Sequence, residues 1–178
     1  WFNVGLTHEK EGRAVEARQA FEESFKSYHR NLAAKALGGS DAQVALELCR
    51  RVVDIDERDA KAWINLGAAL GQTQQPDEEL EAYRRAIEIA PKYAEAWYNL
   101  GVAQAREERD GEAIHAYKRV YKMGARKADM WTKAVYRMGE CFEALGDKAG
   151  ARAFFKIANS KGRGHFAKKS GQRLKRLR

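Results

Sequence analysis

The sequence is poor in residues that interrupt helices: only Pro76 and Pro91 among 178 residues. Ala, Glu, Lys, Arg and Leu, all good helix formers, recur throughout, so helix is the expected state along the whole chain. Cysteine is almost absent. Cys49 and Cys141 lie far apart without metal-type spacing, which excludes a disulfide scaffold and predicts two buried, reduced thiols. No run of 18 apolar residues occurs, so no transmembrane helix is expected. The chain begins at Trp1 and reads as part of a longer protein, soluble and cytoplasmic rather than secreted.

Catalytic motifs are missing too. His8, His29, His115 and His165 are scattered, with no His-Glu-x-x-His and no cysteine at ligand spacing. Residues 162–170 imitate a phosphate loop, but no glycine directly precedes a Lys-Ser pair and no strand leads in. The acidic stretch 54–59 lacks the sixth-position glycine and closing glutamate of a calcium loop. Neither a serine nor a cysteine stands in a nucleophile motif. The expectation is a protein that is not an enzyme and holds no cofactor or metal.

Acid is absent from one end. Residues 161–178 carry eight Lys or Arg and no Asp or Glu, which accounts for the net charge of +8, because the other 160 residues balance 25 bases against 25 acids. Lys168, Lys169, Arg173, Lys175, Arg176 and Arg178 are the candidate polyanion contacts, through which nucleic acid or an anionic membrane is a conceivable partner.

What the chain does have is a repeated phrase. Trp63-Ile64-Asn65-Leu66-Gly67 returns 34 residues later as Trp97-Tyr98-Asn99-Leu100-Gly101, each followed at equal distance by a tyrosine, Tyr83 or Tyr117. Apolar residues then fall at i, i+3, i+4 and i+7, and Gln74-Gln75-Pro76-Asp77 and Asp110-Gly111 punctuate the helix pairs. A fixed period of this length indicates stacked supersecondary units rather than a closed globule. Trp-x-x-Leu-Gly at 34 residues resembles the tetratricopeptide repeat family. The resemblance covers most of residues 1–161 and is most specific over 60–127. Glu79 stands where a small residue is usual, and Gln104 where an aromatic is common.

The expected fold is all-α, a right-handed superhelical solenoid of antiparallel helix pairs. Units are placed at about 1–25 (truncated), 26–59, 60–93, 94–131 and 132–161, with 162–178 as a basic C-terminal capping helix. Two spacing faults interrupt the period. No Gly or Pro separates Arg13 from Leu37, and Ala17, Phe21, Phe25, Tyr28, Leu32 and Ala36 keep one helical face. This predicts two helices fused into one over about 13–37, ended by Gly38-Gly39, with Ser40 or Asp41 capping the next. From Gly101 to Gly139 the step is 38 residues, so about one extra helical turn enters near Lys127–Trp131. Trp131 leaves the packed register there, and is expected either to be exposed or to pack on the inserted turn.

The resemblance implies that first helices line a concave groove that holds partner peptides or helices. Asn3, Asn65 and Asn99 occupy equivalent places, which the family turns into the groove, where carboxamides can both donate to and accept from a peptide backbone. This asparagine ladder resembles that of O-linked N-acetylglucosamine transferases. One repeat on, Lys133 and Arg137 resemble, with Asn99, part of the carboxylate clamp of chaperone cochaperones, although Ile64 and Ala68 replace its other Lys and Asn. Phe2, Tyr98 and Tyr136 fall beside these positions as apolar anchors, whereas Trp63 and Trp97 share the Leu-Gly stripe and are expected to pack between helices. The functional expectation is a protein–protein interaction scaffold that binds a peptide or helix, with a preference for acidic segments. Its rivals are an electrostatic tether through the tail and the regulatory repeat domain of a larger enzyme. Self-association is a further option.

Overall fold

A computed structural model describes residues 2–39, 41–124, 128–162 and 164–177, without the side chains of Phe2 and Ala128 and the surroundings of Gly5. Among the described residues there are ten α-helices and no strand. They fall into two compact units, residues 1–75 and 76–178.

The first unit contains α1 (Phe2–Lys10), α2 (Ala14–Leu37), α3 (Ala42–Ile55) and α4 (Ala60–Gln72). α2 runs unbroken for 24 residues, as the missing Gly and Pro require, and ends where Gly38 and Gly39 turn back on Lys35 and Ala36. Its apolar stripe is not buried throughout. Ala17, Ala20 and Ala33 are buried, but Phe25 is 54% and Tyr28 64% exposed. The nine residues of α1 span only about 13 Å, enough to cover the first part of α2. α3 and α4 engage the last part, where Arg30 pairs with Asp59 and Gln72 donates to the Leu37 carbonyl. The middle of the stripe is left between them.

Aspartates start the helices that follow. Asp41 accepts from the amides of Gln43 and Val44, and Asp59 from those of Lys61 and Ala62, satisfying donors that a helix start leaves open. Ser40 lies outside the described residues. The core of this unit gathers Ala45, Leu46, Cys49, Val52 and Val53 of α3 beside Ala62, Leu66, Ala69 and Leu70 of α4.

The second unit contains α5 (Pro76–Ile89), α6 (Ala94–Arg106), α7 (Asp110–Lys122), α8 (Ala128–Ala144), α9 (Lys148–Lys161) and α10 (Gly164–Arg176). Each helix packs on the next, and α6 also meets α8, as α8 meets α10. The glycine of the repeated phrase permits this closeness. A Cβ added to Gly101 would stand 2.6 Å from the Tyr117 ring, and one added to Gly139 would stand 2.6 Å from the Phe155 ring.

The extra turn is inside α8. α4, α6 and α8 begin at Ala60, Ala94 and Ala128, so their starts keep the 34-residue interval. α6 has 13 residues and α8 has 17, which delays Gly139 by four. Trp131 is buried at 7% exposure and stacks on Tyr121 with ring centroids 5.6 Å apart. Its indole donates to the Tyr121 carbonyl at 3.3 Å. Trp63 and Trp97 instead donate six residues back, to the carbonyls of Glu57 and Pro91. Trp97 also packs on the α7–α8 core, in keeping with its place in the apolar stripe.

α10 closes the unit. Phe166, Leu174 and Leu177 pack against a core of Trp131, Val135, Tyr136, Ala151, Phe155 and Ala158.

Candidate functional site

α6, α7 and α8 enclose a cavity of about 480 Å³ lined by Val102, Ala105 and Arg106, by Glu108, Asp110 and Tyr117, and by Arg137, Glu140, Cys141 and Ala144. The repeat spacing builds it. Val102 and Arg106 stand one turn apart on one face of α6, as Arg137, Glu140 and Ala144 do on α8, and the Tyr117 ring fits under Gly101.

Two polar atoms at this cavity lack partners. Tyr117 is fully buried, and neither its hydroxyl nor Nε of Arg137 makes a hydrogen bond among the described residues. Both are donors, and an unmet donor withdrawn from water costs about 1–3 kcal/mol. Burial holds the Tyr117 hydroxyl far above its ordinary pKa, so it stays protonated and able to donate. Burial, aided by Asp110, pushes the Cys141 thiol up to about 12. That thiol is inert in neutral solution.

The surrounding charges are mostly paired. Arg137 reaches Glu140 at 3.0 Å, and Lys133 reaches Asp129 on its own helix at 2.7 Å. Arg106 binds the carboxylate of Glu79, which is only 4% exposed. Burial raises the Glu79 pKa, against the pull of Arg106. Gln104, 6% exposed, donates to Glu112 at 3.1 Å. The two departures from the repeat pattern, Glu79 and Gln104, are therefore partners in polar pairs.

The residues singled out in the sequence separate on the structure. Tyr98 lies half-buried on α6 with its ring 5.9 Å from that of Tyr117. Asn99 is half-buried one turn before Val102, and Lys133 stands one turn before Arg137; neither they nor Tyr98 line the cavity. Tyr136 does not face solvent. It is fully buried between Phe155 and Phe166, with Lys169 over its ring at 5.7 Å. Asn65 is 7% exposed on α4, and Asn3 is exposed on α1, its carbonyl accepting from Thr7. On α10, Lys168, Lys169, Lys175 and Arg176 are exposed, while Arg173 turns inward to Glu140 and Glu143 at 3.5 and 3.3 Å. The side chain of Phe2 and all of Arg178 lie outside the described residues. The cavity itself escaped the sequence reading, because Tyr117 matched the packed tyrosine of the repeat and nothing in the spacing marks its hydroxyl as unmet.

Among the described residues no cluster of three or more His, Cys, Asp or Glu could hold a metal ion. No helix there is long and apolar enough to cross a membrane.

Tetratricopeptide repeat profiles match three stretches: residues 94–123 and 133–161, each described as a tetratricopeptide repeat, and residues 77–107, described as a TPR repeat. The match over residues 133–161 begins inside α8, after the extra turn. The fold is similar to that of solved MamA structures. One has a TM-score of 0.70 at 22% identity over 90% of this chain and 88% of that one. Another has a TM-score of 0.69 at 20% identity over 99% of both chains. MamA from Desulfovibrio magneticus RS-1 gives 0.71 at 16% identity over 85% and 82%. No curated protein matches the sequence significantly. With the doubled Trp-x-Asn-Leu-Gly phrase, the helix pairs it builds and three matching repeat profiles, residues 77–123 and 133–161 of the chain are tetratricopeptide repeats.

Proposed function

We propose that the chain is a non-catalytic scaffold holding a segment of a partner protein across α6 and α8, with one partner side chain seated in the α6–α8 cavity. Tetratricopeptide arrays are protein–protein interaction scaffolds. The observation that carries the local reading is the pair of unmet donors, Tyr117 Oη and Arg137 Nε, beside an apolar lining of Val102, Ala105 and Ala144.

Two donors call for an acceptor. Three carboxylates, Glu108, Asp110 and Glu140, share the lining with two arginines that already have acidic partners. That balance favours a neutral acceptor, such as the carboxamide of a partner glutamine or asparagine or a backbone carbonyl, over a carboxylate. Asn99 and Lys133, one helical turn before the lining residues Val102 and Arg137, are suited to hold the flanking backbone, and Tyr98 offers an apolar contact.

The test is selection of peptides from a random library on the intact chain, followed by affinity measurement on an Ala105→Trp variant that fills the cavity. The reading expects the selected peptides to carry a carboxamide or exposed carbonyl and to lose at least about tenfold in affinity. Peptides that bind the filled variant equally well place recognition elsewhere.

A further inference from the structure

The acid-free end of the chain is longer than its last helix. From Lys148 onward no Asp or Glu occurs, and the stretch holds eleven Lys or Arg. Much of that charge lies on α9. Lys148, Arg152 and Lys156 recur every four residues and are all exposed, which puts them on one face about 6 Å apart along the axis. α10 adds exposed Lys168, Lys175 and Arg176.

None of these six makes an ion pair among the described residues. Elsewhere the cations are commonly matched: Lys26 with Asp56, Arg30 with Asp59, Arg106 with Glu79, Arg109 with Glu112, Lys133 with Asp129. The cations that the sequence offers for acid capture, Lys133 and Arg137, thus already have carboxylate neighbours, whereas these six exposed cations of α9 and α10 have none among the described residues.

The two helices also leave a cleft between them. Its volume is about 440 Å³, with Ala149, Ala153 and Leu174 as apolar lining and Arg152 and Lys156 at its wall. Close approach forms the seam: a Cβ on Gly171 would stand 2.8 Å from Oδ1 of Asn159.

We infer that the α9–α10 seam is a second docking site, separate from the α6–α8 cavity, for an acidic protein segment carrying an apolar side chain. Arg152 and Lys156 meet its carboxylates, and the alanine- and leucine-lined cleft takes the apolar group. Charge-assisted bonds to carboxylates are the strong kind, and clustered cations are a recurrent means of reading acidic motifs. The other polyanions fit less well. The apolar face of α10 is spent on Tyr136 and the α9 core, and among the described residues of α10 no large hydrophobic side chain stands exposed to enter a bilayer. Stacking on unpaired bases requires exposed aromatic platforms. Phe166 is packed against Tyr136, and exposed His165 is the remaining ring of α10.

The test uses the intact chain and a fluorescein-labelled peptide, Glu-Leu-Glu-Glu-Leu-Glu, titrated by fluorescence anisotropy. Hexaglutamate, phosphatidylserine vesicles and a short DNA duplex are the comparison probes. The expected result is binding of the mixed peptide at least about fivefold tighter than hexaglutamate. It should weaken at least about tenfold in Arg152→Glu/Lys156→Glu, and also as salt shortens the screening length from about 10 to 3 Å. Both substitutions are on exposed side chains, and circular dichroism checks that helix content is kept. Equal binding of the two peptides removes the cleft from the proposal. Tighter binding of duplex or vesicles, lost in the same variant, assigns the surface to phosphate instead. Mixed-peptide binding that the double substitution leaves unchanged overturns the site altogether.

Discussion

Gly101→Ala and Gly139→Ala add one methyl group each at points where helices of the second unit pack closely. At each position the new Cβ meets an aromatic ring at 2.6 Å, whereas ordinary van der Waals contact starts at 3.4 Å. The ring must therefore retreat by about 0.8 Å. Tyr117 and Phe155 are both at 0% exposure, so retreat displaces further core residues. Overpacking of this kind costs about 1–3 kcal/mol, with a fully enclosed ring toward the upper end. Replacing glycine by alanine within a helix returns about 0.5–1 kcal/mol. The net expectation is a loss of about 2 kcal/mol at either position.

Gly111→Ala is the internal control. It lies in the first turn of α7, and a Cβ there meets nothing within 4 Å, so the same chemical change should be neutral or stabilise by up to about 1 kcal/mol. Urea unfolding followed by circular dichroism measures all three. Phe155→Leu in the Gly139→Ala background should recover part of the loss, as a positive coupling in a double-mutant cycle. If Gly101→Ala is as stable as the native chain, the close approach of α6 to Tyr117 is refuted, and with it the packing role of the repeated phrase.

Three other outcomes follow from the polar pairs and the thiols. Arg106→Ala strands the buried Glu79 carboxylate and should destabilise by about 2 kcal/mol, less than a fully enclosed pair because Arg106 is 47% exposed. Its pull on Glu79 gone, burial and the Glu107 carboxylate raise that pKa further; the loss should shrink when acid protonates Glu79, as paired urea titrations at pH 7 and 4.5 would register. Glu79→Gln keeps the shape without the charge and should stay within about 1 kcal/mol of the native chain. Burial lifts Cys49 from 9.0 to about 11, and burial with Asp110 lifts Cys141 to about 12. Thiols of the unfolded chain ionise first, so this stability is complete below pH 9 and is lost as pH rises toward the folded values. Each thiol should cost about 1.4 kcal/mol by pH 10, and a thiol reagent should label neither cysteine before unfolding.

The fold was legible where period and chemistry agree. The 34-residue phrase, the unpunctuated stretch before Leu37 and the surplus of four before Gly139 each correspond to an element: paired helices, the long α2, and the extra turn of α8. Those features depend on local spacing. Features that depend on what a neighbouring helix covers were not legible. Phe25 and Tyr28 continue an apolar stripe yet stand exposed, because α1 is too short to reach them. Tyr136 sits at a position read as an anchor for ligands, but α10 folds over it. Lys133 and Arg137 present the charges of a clamp, while Asp129 and Glu140, one turn away on the same helix, engage them first. Glu79 and Gln104 looked like faults in the pattern because their partners, Arg106 and Glu112, lie 27 and eight residues distant. The contribution of α9 to the basic surface was hidden by counting charge along the tail rather than around a helix.

The central claim is that the α6–α8 cavity is built to receive an acceptor from a partner. Tyr117→Phe tests it most directly, because the change removes one hydroxyl that has no partner among the described residues. The measurement is the dissociation constant of a library-selected peptide for the native chain and this variant, with the melting temperature of each recorded alongside. The account predicts a melting temperature unchanged or raised and an affinity about 3- to 10-fold weaker, the worth of one hydrogen bond. A selected peptide that binds Tyr117→Phe as tightly as the native chain would contradict it.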